Sequence, residues 1–215
     1  VSMSLLLPVV GGLSLFIYGM NLMSQGLQNL AGNQLKKLID VLTSNRLMGI
    51  VVGTVITMVI QSSSALSVMV MGFVNAGLMS LSQSVGVLMG ANIGTTITAQ
   101  IIAFNITEYA PIAVATGVIV SLVSQKKKSK DIVDTLIGLG VLFIGMSMMS
   151  NGLKPMVELP WFTHILASLN NPWIAMLAGL VLTTMVQSSS AFIGLVQALA
   201  LQGVFSSINI VLPIL

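Results

Sequence analysis

Apolar residues run in long blocks along this chain, separated by a few short polar segments. Five blocks are long enough, or nearly so, to cross a hydrocarbon layer of roughly 30 Å as helices: about 5–30, 81–104, 108–124, 131–153 and one beginning near Ile208. Two other regions behave differently. Residues 47–60 and 65–79 are apolar runs of about 14 and 15 residues, giving helices only ~21–23 Å long at 1.5 Å per residue. Each is predicted to be a half-helix. Between them lies a polar block, Gln61, Ser62, Ser63 and Ser64, and the pentapeptide Gln-Ser-Ser-Ser-Ala at 61–65 recurs at 187–191. In the second copy Asn171 is a candidate N-cap with Pro172 at the first helical position, and each serine run can cap a half-helix beginning near Ala65 or Ala191. The expectation is two re-entrant helical hairpins, 46–79 and 172–205, with serine tips.

A shift of 126 positions superposes the halves without a gap over about 70 residues. Gly12, Gly19, Met23, Ser24 and Gly26 meet Gly138, Gly145, Met149, Ser150 and Gly152. Further along, Asn45, Gly53, Thr57, Gly77 and Ser80 meet Asn171, Gly179, Thr183, Gly203 and Ser206. A polar five-residue match inside a constant register marks an internal duplication, which in transporters builds the binding site at the repeat interface.

Charge then sets sidedness. Charged residues make up 6% of the chain, against roughly 25% in a soluble domain, and mean hydropathy is +1.03. An integral membrane protein is implied. Seven of the eight basic residues lie in two segments, at Lys36, Lys37 and Arg46 and at Lys126, Lys127, Lys128 and Lys130. They anchor topology rather than bind nucleic acid. Only if 46–79 returns to its own side do both segments become cytoplasmic, leaving Lys154 outside. Loops 31–46 and 125–131 are therefore expected in the cytoplasm and the N-terminus outside, in the plasma (inner) membrane. With three crossings between them the hairpins enter from opposite faces, so the repeats are inverted. The fold class is an all-α polytopic membrane protein. Repeat one, 1–125, would hold the 46–79 hairpin, a broken helix over 81–104 and a helix over 108–124. Repeat two, 126–215, would hold a helix over 131–153, the 172–205 hairpin and the start of a broken helix at 208–215.

No titratable side chain is expected at mid-membrane, Asp134 being nearest at about one turn into its helix, so a proton relay has no carrier. Neutral oxygens remain: Gln61, Ser62, Ser63, Ser64, Asn92, Thr95, Thr96, Gln187, Ser188, Ser189 and Ser190. Free carbonyls at a half-helix C-terminus suit an alkali cation, and free amides at the next N-terminus suit an anion. A cation-coupled anion site follows. The stretch Gly90-Ala91-Asn92-Ile93-Gly94-Thr95-Thr96 is expected to be unwound, the alternative being close packing through Gly86, Gly90 and Gly94. A channel of paired half-helices is the rival reading, though the sequence has no Asn-Pro-Ala pair and no mid-pore Arg. A serine protease lacks a membrane-depth His or Lys to activate a serine. No enzyme activity is expected.

Two Gln-Ser-Ser-Ser blocks, Gly-x-Asn-Ile-Gly-Thr-Thr after the first, and Gly-Met-x-x-Met-Ser-x-Gly-Leu at 19–27 and 145–153 together resemble the type II sodium-dependent phosphate cotransporters in a short bacterial form. The resemblance implies sodium-coupled uptake of inorganic phosphate by alternating access. It would make Gln61, Ser62, Ser63, Ser64, Asn92, Thr95, Thr96, Gln187, Ser188, Ser189 and Ser190 the ligands, with sodium at Gln61, Ser62, Thr95, Gln187 and Ser188. Sodium ions serve as coupling ions and no organic cofactor is implied. The partners are phosphate, sodium and the lipid bilayer, with a homodimer compatible. The register also leads one to expect a continuation past Leu215 reading approximately Gly-x-Asn-Ile-Gly-Thr.

Overall fold

A computed structural model describes residues 3–40, 46–104, 106–124, 126–169, 171–186, 188–205 and 211. Among these every regular element is helical. In chain order they are α1 (Met3–Asp40), α2 (Arg46–Ile60), α3 (Ser63–Asn75), α4 (Leu81–Ala103), α5 (Ala110–Val123), α6 (Lys127–Val157), α7 (Pro160–Ser168), α8 (Pro172–Val186) and α9 (Ser189–Leu201). Three stretches are long and apolar enough to cross a membrane: Leu6–Ala31, Leu81–Ala103 and Lys128–Val157. Thr107–Val123 is a shorter apolar helix, and the expected crossing near Ile208, with 208–215 around it, lies outside the described residues apart from Val211.

Three expectations change. The 31–46 segment, read as a loop, is helical as far as Asp40, because Ala31, Gln34, Leu35, Lys36, Lys37 and Leu38 are strong helix formers with no proline among them. The 125–131 segment is likewise helical from Lys127. Most consequential, α4 runs unbroken from Leu81 to Ala103, so the expected unwinding at 90–96 is absent.

The glycines of α4 serve contact instead. A Cβ at Gly86 would meet the Arg46 carbonyl oxygen, one at Gly90 would meet that of Ile50, and one at Gly94 would meet that of Thr54. From the other side a Cβ at Gly53 would strike the Val87 backbone. Helices α2 and α4 are thus in backbone contact along their length, as small residues at every fourth position permit in lipid. Ser80 caps α4 with a full capping box, its hydroxyl accepting from the Gln83 backbone while the Gln83 side chain accepts from Ser80.

The described chain forms two compact units that interleave in sequence. The first-junction unit comprises Asn21–Phe104 and Ile112–Leu139; the second-junction unit comprises Val1–Met20, Asn105–Pro111 and Gly140–Leu215. Val52, Ile56, Leu66, Val70, Met79, Val87 and Ala91 form the core of the former. In the latter Met149, Leu153, Met156 and Ala198 make one cluster, and Ala175, Phe192 and Val196 another. Large apolar side chains such as Val51, Val68, Met71, Leu122 and Leu180 stay exposed, as suits a surface whose solvent is lipid.

Candidate functional site: two serine-capped helix junctions

Helix α2 stops because Gln61 turns left-handed, at φ 58, the one non-glycine residue with positive φ among those described. Such a backbone costs a bulky residue on the order of 1–2 kcal/mol and persists only where its surroundings enforce it. Here the Gln61 backbone N–H donates to the Thr57 carbonyl at 2.7 Å and its side-chain amide donates to the Met58 carbonyl. Ser62 is then extended, at φ −146 and ψ 100, and caps α3 by accepting from the Ala65 N–H at 3.2 Å. Two residues thus join the negative end of one helix dipole to the positive end of the next. Ser63 and Ser64 occupy the first turn of α3, where backbone N–H groups have no intrahelical carbonyl and are ready donors for an anion.

At the end of α2, where open carbonyls are expected, those of Thr57, Met58 and Ile60 already accept hydrogen bonds. Ile60, the last residue, accepts from Ser24 Oγ at 2.9 Å and from Gln28 Nε2 at 2.8 Å, both on α1. Neither residue was singled out as a ligand by sequence. Ser24 entered only as a repeat match, and the overlooked signal was a pair of polar side chains at i and i+4 in an apolar helix.

Asn92, Thr95 and Thr96 sit on the continuous α4. Gly94 rests against Thr54 and Thr57, so this segment runs beside the C-terminal turns of α2. Thr95 donates back to the Ala91 carbonyl at 3.0 Å and Thr96 to that of Ile93 at 2.7 Å, leaving their oxygen lone pairs as acceptors; Asn92 is exposed. The α4 segment that carries the candidates thus runs beside α2 through its glycine face, while Asn92 and Thr96 stand exposed on other faces of the same helix.

The second junction repeats the first. Asn171 caps α8, its side-chain oxygen accepting from the Trp173 N–H at 3.0 Å, as expected. Each bound of α8 and α9 stands 126 positions after the matching bound of α2 and α3. Ser188 is extended at φ −145 and ψ 107 and accepts from the Ala191 N–H at 3.3 Å; Ser189 and Ser190 form the first turn of α9. Gln187 lies outside the described residues. Even the exits agree, with Gly77 at φ 70 and Gly203 at φ 69. The surroundings differ: Ser150, matching Ser24, accepts from Gln202 Nε2 at 2.6 Å, and Lys154 stands where the first repeat has Gln28. A cleft of about 620 Å³ in the second-junction unit, lined by Pro8, Ser147 and Asn151 among others, includes none of the expected ligands.

Three helices of membrane length and two serine-capped junctions define the class, a helical membrane protein. The profile of the Na+/Pi-cotransporter family matches residues 15–151 and again 144–212, and the chain belongs to that family of transporters. It is 30% identical over 190 residues to YqeW, an uncharacterised protein of Bacillus subtilis, covering 88% of this chain and 62% of that protein. It is 24% identical over 202 residues to YjbB of Salmonella typhimurium, named as a candidate inorganic phosphate exporter, covering 94% and 37%. Sodium-dependent phosphate transport protein 2A of Rattus norvegicus is 35% identical over 99 residues, covering 44% of this chain and 15% of that one. The chain thus spans under two thirds of the length of these relatives. No solved structure matches it significantly.

Proposed function

We propose that the chain forms the binding core of a secondary transporter that couples sodium to inorganic phosphate by alternating access. The observation that carries this reading is the twofold junction: the same pentapeptide 126 positions apart, with Ser188 capping its helix in the conformation Ser62 adopts, in a chain of the Na+/Pi-cotransporter family. Inverted repeats, 1–125 and 126–215, would present each junction as the tip of a re-entrant hairpin entering from its own face, with both basic segments cytoplasmic. Gln61, Ser62, Thr95, Gln187 and Ser188 would hold sodium through neutral oxygens. The first-turn amides and hydroxyls of Ser63, Ser64, Ser189 and Ser190, with Asn92 and Thr96, would hold phosphate. Ser62 keeps one lone pair after capping α3, so its oxygen suits a cation without loss of the cap.

The test is radiolabelled phosphate movement in proteoliposomes of the full-length protein. Saturable uptake driven by an inward sodium gradient is expected; phosphate flux indifferent to sodium and unsaturated at high phosphate would indicate a channel. One observation favours a second direction, the exporter name of the YjbB relative. Vesicles preloaded with phosphate decide it, since an exporter lets phosphate out without an inward sodium gradient.

A further inference from the structure

The last carbonyl of α2 sits at the negative end of a helix dipole, where a cation is favoured, yet two neutral donors from α1 hold it. A carbonyl oxygen has two lone pairs. Ser24 Oγ takes one at 2.9 Å and Gln28 Nε2 the other at 2.8 Å. Gln28 Nε2 also donates to Ser24 Oγ at 2.9 Å, closing a three-membered set of hydrogen bonds between two half-buried side chains and the Ile60 carbonyl. Ser24 and Gln28 stand four residues apart, on one face of α1. They fill the position a cation ligated by Ile60 would need.

We infer that Ser24 and Gln28 are a neutral stand-in for the coupling cation. In this assignment the cation displaces the Gln28 amide from the Ile60 carbonyl and so releases α1 from the first junction. The assignment rests on the sodium-coupled reading above. Gln28 acts as a positioning residue: it ties α1 to the α2–α3 junction in the empty state and loosens that tie when the ion arrives. The second repeat lacks the device. Its register places Lys154, a cationic side chain, opposite the neutral amide of Gln28. Among the described residues the cation-free tie is therefore a feature of the first junction.

Removing the competing amide leaves the ion-bound state unchanged and destabilises only the empty one, so sodium binds more tightly. The experiment is a sodium titration of melting temperature for the full-length protein in nanodiscs, with choline holding ionic strength and no phosphate present. For Gln28→Met, of similar length but without a donor, the half-saturating sodium concentration is expected to fall about three- to tenfold, the factor one neutral hydrogen bond commands. An unchanged value would reduce Gln28 to packing, and a raised one would make its amide oxygen a ligand; either overturns the inference while leaving sodium coupling intact. A wild-type protein that melts identically in sodium and choline overturns the coupling itself and this inference with it. A second measurement needs no variant: hydrogen exchange over 21–31 of the unmodified protein should quicken with sodium. Exchange that slows or stays constant contradicts the release.

Discussion

At the first junction α2 ends on Ile60, whose carbonyl takes two donors from α1, and its flank lies in backbone contact with the glycines of α4. At the second, α9 is held by the Phe16 ring against Gly194 and by Gln202 donating to Ser150 at its far end. The capping serines of the two junctions adopt nearly the same torsions, φ −146 at Ser62 against −145 at Ser188. Local conformation follows the local peptide, since the cap and the first-turn donors arise within four residues. Anchoring follows the neighbours, which have diverged. The serine cap and first-turn serines are thus duplicated while the contacts that restrain them are not.

The contrast can be broken hardest at the glycines. Gly90→Leu drives a side chain into the backbone of α2 and is expected to cost more than the roughly 1–3 kcal/mol usual for overpacking, leaving little folded protein. Gly194→Ala meets the tip of the buried Phe16 side chain, which must shift as a whole because its Cζ lies on the ring's rotation axis, and should fall at the upper end of that range. Melting in detergent and yield after purification compare the two.

Next come the glutamines. Gln61→Ala and Gln187→Ala should each lower sodium-driven phosphate transport by on the order of tenfold or more, as expected when a buried charged ligand loses a partner. Gln61→Gly separates strain from chemistry: it relaxes the left-handed turn yet should transport no better than Gln61→Ala. Smaller still, Ser62→Ala and Ser188→Ala each remove one N-cap and should cost about 0.5–2 kcal/mol, equally in both repeats. Unequal losses would show that the caps answer to their surroundings after all. Smallest are Gly77→Ala and Gly203→Ala, whose added methyl meets nothing within 4 Å, so that backbone strain of about 1 kcal/mol is the whole effect at each.

These features were unequally legible. The junctions could be read because a polar block inside apolar half-helices leaves few conformations that satisfy its groups, and Asn171 with Pro172 marked the start of α8 directly. The α4 segment misled because glycine every fourth residue serves equally for unwinding and for close approach, and only the helix facing it decides between them. The end of α1 was misplaced because Lys36 and Lys37 signal exposure to water, which a helix beyond the membrane tolerates as well as a loop does. Ser24 and Gln28 could not be assigned by sequence, since their role depends on which carbonyl lies opposite, and that is a tertiary contact.

The central proposal is that each of the two serine junctions is needed for sodium-dependent binding of phosphate. Equilibrium binding of radiolabelled phosphate to the purified full-length protein, with and without sodium, tests it most directly when made on Ser64→Ala, Ser190→Ala and the double variant. The account predicts one phosphate per chain, bound only with sodium, weakened about tenfold by either substitution, with losses that do not simply add in the pair. A variant at either junction that binds phosphate as the wild type does, or additive losses with two phosphates bound per chain, would contradict it.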